Sequence, residues 1–145
     1  MSNYIDTPQV EWVSDPLQEP PDLNGIPATV TTIRVAGGEM PVHSRWLLDL
    51  LTVARANGMQ FIFEGWGEWV PVDADHEHLV AEASELAYIA IDGTFLPDFE
   101  AAAEHAARGG ARAERCVRVG RDRAGRMLRG HIYPDDGHAG EMSER

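Results

Sequence analysis

The stretch that decides the fold runs His43-Ser-Arg-Trp-Leu-Leu-Asp-Leu-Leu-Thr-Val-Ala-Arg-Ala-Asn-Gly58-Met-Gln-Phe-Ile-Phe63. Trp46, Leu47, Leu50, Leu51 and Ala54 recur at the three- and four-residue spacing of a single helix face. Asn57-Gly58 reaches positive φ at little cost, so the helix stops there. Met59 to Phe63 is short, apolar and aromatic, which suits a strand buried on a sheet. Helix, stop and strand together form one hydrophobic unit on which later elements can pack.

Working outward, Ala28 to Ala36 carries the β-branched run Val30, Thr31, Thr32, Ile33 and Val35, closed by Gly37-Gly38, and predicts a strand. The double glycine is not a Walker-type phosphate loop, since Gly-Gly-Glu-Met-Pro lacks both the spacing and the lysine. On the other side, Glu64-Gly65-Trp66-Gly67-Glu68 separates Met59–Phe63 from a second strand-like run, Glu68–Val72. A hairpin is expected, with Pro71 placing the second strand on an edge. Asp73 and Asp75 are candidate caps for a second helix over His76–Ile91, whose stripe is Leu79, Val80, Ala83, Leu86, Ala87 and Ala90. A third helix is expected from Pro97 or Asp98 to Arg108, with Phe95, Phe99, Ala102, Ala103 and Ala106 facing inward. Its outer face carries Glu100, Glu104 and Arg108 at helical spacing. Glu114 to Tyr133 reads as a second hairpin, with Leu128 and Ile132 as inward positions of the return strand.

The expected order is β-α-β-β-α-α-β-β. Strand pairs and helices arrive in blocks, which predicts an α+β fold with a mainly antiparallel sheet and about three helices. Three segments are expected. Residues 1–28 form an extended, proline-rich arm, 29–133 the α+β domain and 134–145 a loose, charged tail. The arm carries Tyr4, Ile5, Val10, Trp12, Val13, Leu17, Leu23 and Ile26 as spaced apolar anchors. Two readings of it stand: it lies across its own domain, or across a neighbouring protein.

At 145 residues the chain is long enough to bury one substantial core. No apolar run reaches bilayer length, and the N-terminus has no basic segment leading into an apolar one, so a cytoplasmic, membrane-free protein is expected. A single cysteine, Cys116, excludes an internal disulfide and any zinc site that needs two cysteines. All 12 basic residues are arginine. The absence of lysine removes Schiff-base chemistry, the Walker A lysine and a lysine general base together. Charge is segregated: residues 1–107 sum to −15, residues 108–129 to +6 and residues 130–145 to −3, for a net of −12. A basic ribbon beside an acidic body serves either to neutralise that body or to meet a partner.

Candidate sites are few. Asp73, Asp75, His76 and His78, with Glu82 one helical turn beyond, offer imidazole and carboxylate ligands to a transition metal and would support metal-assisted hydrolysis. On a helix, however, His76 and His78 would point about 200° apart, and the cluster equally suits a solvated, acidic helix start. His131, Asp135, Asp136 and His138 in the tail make a weaker set, because flexible segments rarely preorganise a site. Trp66 and Trp69, bracketed by Glu64 and Glu68, are candidate stacking residues for a sugar or base, and equally candidate core or interface residues, as is Trp12. Arg118, Arg121, Arg123 and Arg126 are candidates for binding phosphate or nucleic acid. A guanidinium at Arg118 beside Cys116 would lower the thiol pKa and make it reactive. The acidic body could also imitate nucleic-acid phosphates before a basic protein.

Nothing here composes a nucleophile with its base, and no cofactor is implied. The expectation is a small non-catalytic interaction or accessory protein that acts through a protein partner or homo-oligomerisation. The alternatives are a metal-dependent hydrolase at Asp73–His78, a nucleic-acid binder through the arginines, and an acidic inhibitor of the nucleic-acid-mimicking kind.

Overall fold

The computed structural model describes residues 9–134. Its central feature is the unit quoted above. Helix α1, Ser44–Ala56, buries Ser44, Trp46, Leu47, Leu50, Leu51 and Ala54. The helix starts where the Arg45 N–H donates to Nδ1 of His43, and it ends before Gly58, whose φ is 68°. The preceding strand β2, Thr32–Val35, and the following strand β3, Gln60–Phe63, lie parallel, pairing Ile33 with Phe61 and Val35 with Phe63. Parallel neighbours need a crossover, and α1 supplies it. Strand β1, Glu11–Ser14, joins the free side of β2, so part of the N-terminal segment is a strand of its own chain's sheet. This three-stranded parallel sheet, ordered β1-β2-β3, is a feature the block pattern of the sequence did not predict.

The larger sheet is antiparallel and ordered β4-β7-β5-β6, from strands Trp69–Pro71, Ala113–Arg118, Glu85–Ala90 and Phe95–Leu96. The fold is α+β, as the residue pattern predicts. The two sheets share one core, which runs from Ile33, Val35 and Phe63 through Trp46, Trp66 and Trp69 to Val70, Ile89 and Val117.

Four expectations are corrected. The run from Met59 to Val72 is not a hairpin: β3 and β4 belong to different sheets. Their link is pinned crosswise, with N–H bonds from Gly37 to the Gly65 carbonyl, Trp66 to Gly125 and Glu68 to Gly38. The Trp66 ring, fully buried, turns this link into the core instead of reversing the chain. The second helix is absent. A 3-10 helix spans Glu77–Glu82, and β5 follows at once. Strand β5 lies between β6 and β7, so both edges of its backbone are bonded, and that outweighs the helical spacing of Leu86, Ala87 and Ala90. The third helix is present as α2, Phe99–Ala107, capped by Asp98, but it buries no residue and Phe99 is 72 % exposed. Last, β7 pairs with β4 and β5 and not with the chain that follows it. Arg121–Ala124 forms a single helical turn, α3, and then β8, Met127–Leu128, pairs with β9, His131–Ile132. Their two-residue turn, Arg129-Gly130, has positive φ at both positions, the geometry that matches the twist of a tight hairpin.

Candidate functional site

The indoles are consumed by the fold. Trp46 Nε1–H donates to the Ile91 carbonyl at 2.7 Å, Trp66 to Met127 at 2.8 Å and Trp69 to Glu39 at 3.0 Å. Each ring fills the core while its one donor ties down a segment distant in sequence, the usual arrangement for a buried tryptophan. Trp66 and Trp69 therefore present no face to a ligand in this structure. Trp12, half-buried on β1 opposite Ile33, packs against the same core.

The Asp73–His78 segment is a turn. Oδ1 of Asp73 accepts the backbone N–H of Asp75 and of His76 and, at 2.7 Å, Nδ1–H of the His76 ring. His76 is buried with its ring edge-on to Trp66 at 5.6 Å between centroids. The carboxylate oxygen can only accept, so Nδ1 of His76 is the donor, and the ring's Nε2 has no partner among the described residues. Asp73, Asp75 and His76 each place one possible ligand atom within 4.8 Å of the others. His78 is exposed, and Glu82 is occupied by Arg123 at 2.5 Å. The structure thus brings three of the five candidate ligands together and leaves two outside.

This turn forms one wall of a cleft of about 370 Å³. The opposite wall is the chain from Arg123 to Met127, together with Ile132. Leu79 and Ala124 are its buried apolar residues. At its mouth stand Met127 and Ile132, cross-strand partners in the β8–β9 hairpin, 39 % and 44 % exposed. The sequence reading put Ile132 inward with Leu128. The turn at Arg129-Gly130 breaks that register, so Leu128 is buried and Ile132 faces out. The Arg-Gly dipeptide was the available signal for the turn. The backbone N–H of Gly130 donates to Asp75 Oδ2 at 3.0 Å and joins the two walls.

The arginines divide into two groups. Arg118 donates to Glu68 and Glu85, Arg123 pairs with Glu82 and Arg108 with Glu104. Arg112, Arg115, Arg121, Arg126 and Arg129 make no ion pair among the described residues. Arg118, at the end of β7, also sits over the Trp69 ring at 5.9 Å and ties its strand to both neighbours, β4 and β5. Cys116 is buried with its thiol donating to the Ala87 carbonyl, and burial, with the Glu114 charge acting the same way, pushes its pKa up. The expected activation by Arg118 is therefore reversed: the thiol is held protonated and enclosed. His131 is exposed beside Tyr133, whereas Asp135, Asp136 and His138 lie outside the described residues.

No helix of the described residues is long and apolar enough to cross a membrane. No family model, no curated protein and no solved structure matches this chain.

Proposed function

We propose that this chain is a non-catalytic interaction protein that docks a protein partner in the cleft between Asp75–Leu79 and Arg123–Ile132. The supporting observation is the exposed Met127–Ile132 pair at the mouth of an apolar cleft. Large apolar side chains paired beside a cavity mark a contact surface more than scattered ones do. The lining supplies direction: Arg126 has no ion pair among the described residues, and Asp75 and His78 share the cleft with it. The fitting partner inserts an apolar side chain and presents a carboxylate to Arg126. The lysine-free composition and the enclosed Cys116 speak in favour of binding over catalysis.

The test is site-specific photocrosslinking. A photoreactive phenylalanine analogue at Ile132 should yield one discrete adduct in the source cells, and Arg126→Glu should abolish it. The same analogue at Glu100, on α2, is the control. Equal adducts at both positions, or none at Ile132, reject the docking site. The mass of the adduct separates a second copy of this chain from another protein.

A second reading rests on the proximity of Asp73, Asp75 and His76 and on the lone Nε2 of His76: a metal-assisted hydrolase. It requires a stoichiometric transition metal in the purified protein, lost in His76→Ala. Against it, Asp73 Oδ1 already accepts three hydrogen bonds, which is the pattern of a turn cap.

A further inference from the structure

A separate cleft lies at the carboxyl ends of the parallel strands. Ser14, Val35 and Phe63 stand in register as the last residues of β1, β2 and β3. The chain leaving β2 passes through Gly37-Gly38, and the chain leaving β3 through Gly65-Trp66-Gly67. Between them is a cavity of about 250 Å³ lined by Ala36, Gly37, Gly65, Gly67 and Gly125, with Arg121 and Arg126 on its wall. The crevice beyond the carboxyl ends of parallel strands is where open sheets take their ligands, because the departing loops diverge there.

Three properties define what fits. First, the wall is bare backbone. Gly125 has positive φ and open space where a Cβ would stand, so a ligand can approach its main chain directly, whereas Gly65 and Gly67 pack against the backbone of Gly125 and of Gly37-Gly38. Second, the wall offers two uncommitted guanidiniums against one uncommitted carboxylate. Arg121 and Arg126 make no ion pair among the described residues. Of the two carboxylates on the wall, Glu64 is already held by Arg34 at 2.8 Å, which leaves only Asp122 uncommitted. Third, Arg121 also lines a neighbouring cavity of about 260 Å³, with Asp15, Gln18 and Glu39.

From these we infer that the cleft is a binding site for a tetrahedral oxyanion of the phosphate class, held by the guanidiniums of Arg121 and Arg126 against the glycine backbone. A tetrahedral dianion has enough oxygens to accept from both guanidiniums and from main-chain N–H groups together, whereas a carboxylate has two. The site differs from a Walker loop in using arginine for lysine and three separate turns for one continuous loop. The site shares Gly125 and Arg126 with the docking cleft and differs from it in Arg121, so Arg121→Gln separates the two.

The experiment is an amide NMR titration of the full chain with inorganic phosphate at constant ionic strength, with acetate as the second arm. Phosphate should shift the amides of Gly37, Gly65, Gly67 and Gly125 saturably, and acetate should not. Arg121→Gln, at an exposed position, should leave amides away from the cleft unshifted and weaken the affinity about tenfold or more. Arg126→Gln should do the same. Absence of saturable shifts, equal shifts with acetate, or undiminished affinity in both variants overturns the assignment.

Discussion

His43 shows how one side chain sets a pH limit. Its Nδ1 accepts the Arg45 N–H and caps α1, so the ring must stay neutral there. Burial is the dominant cause that pushes its pKa below the ordinary 6.5. The Arg112 and Arg45 charges act in the same direction, and Glu114 and Asp49 oppose it. The unfolded chain takes up a proton near pH 6.5 that the folded chain refuses. Stability is therefore present above that value and is lost as the pH falls through it toward the lowered folded pKa. Asn is a comparable cap and does not titrate. His43→Asn should thus lose less unfolding free energy than the parent between about pH 7 and pH 5. Urea denaturation at the two pH values measures this, and equal losses in both proteins would contradict it. The other capping contact of α1 comes from far away: the Glu114 carboxylate accepts the Ser44 N–H at 2.8 Å and the Ser44 hydroxyl. Residue by residue, composition foresaw the polar character of Asp73, Asp75 and His76. It could not foresee that Asp73 would spend one oxygen on three donors, since those bonds exist only once the turn has formed.

Among the elements, the crossing of two glycine segments carries the most consequence. A Cβ on Gly37 would fall on the Trp66 carbonyl, and one on Gly67 on the backbone of Gly37-Gly38. The two strand exits can cross there only because both lack side chains. Gly37→Ala should cost about 1–3 kcal/mol or more, as overpacking against rigid backbone does. Gly58→Ala, where an added Cβ meets nothing but φ is positive, should cost about 1 kcal/mol. Thermal denaturation of the two variants ranks them, and a Gly37→Ala protein as stable as the parent would show that the crossing has slack. The elements also show which sequence signals were legible. Helix α1 is legible because its stripe is continuous and Trp46, Leu47, Leu50, Leu51 and Ala54 are all buried. Strand β5 departs from the expected helix because Leu86, Ala87 and Ala90 fit a helical period as well as a strand. Propensity differences of a few tenths of a kcal/mol per residue cannot resist a sheet slot bonded on both sides.

The assembled chain carries its −12 charge unevenly even after folding. Arg34 and Arg118 each bridge two carboxylates, yet Asp15, Glu19, Asp22, Glu39 and Asp92 pair with no base among the described residues. Excess charge of one sign opposes the folded state through self-repulsion. Salt shortens the Debye length from about 30 Å at 0.01 M to about 8 Å at 0.15 M. The melting temperature should therefore rise over that range, although the exposed pairs weaken. A fall would mean that the arginine bridges outweigh the repulsion.

From composition and periodicity alone came the α+β class, α1 with its buried face, the strands around it, α2 and the exclusion of lysine chemistry. These are local properties, written in spacings of two to four residues and in residue types. The parallel pairing of β1, β2 and β3, the burial of Trp66, the closed thiol of Cys116 and both clefts came only with the folded chain. Each depends on groups tens of residues apart meeting in space, and their packing and hydrogen-bonding energies exceed any local preference that the sequence displays.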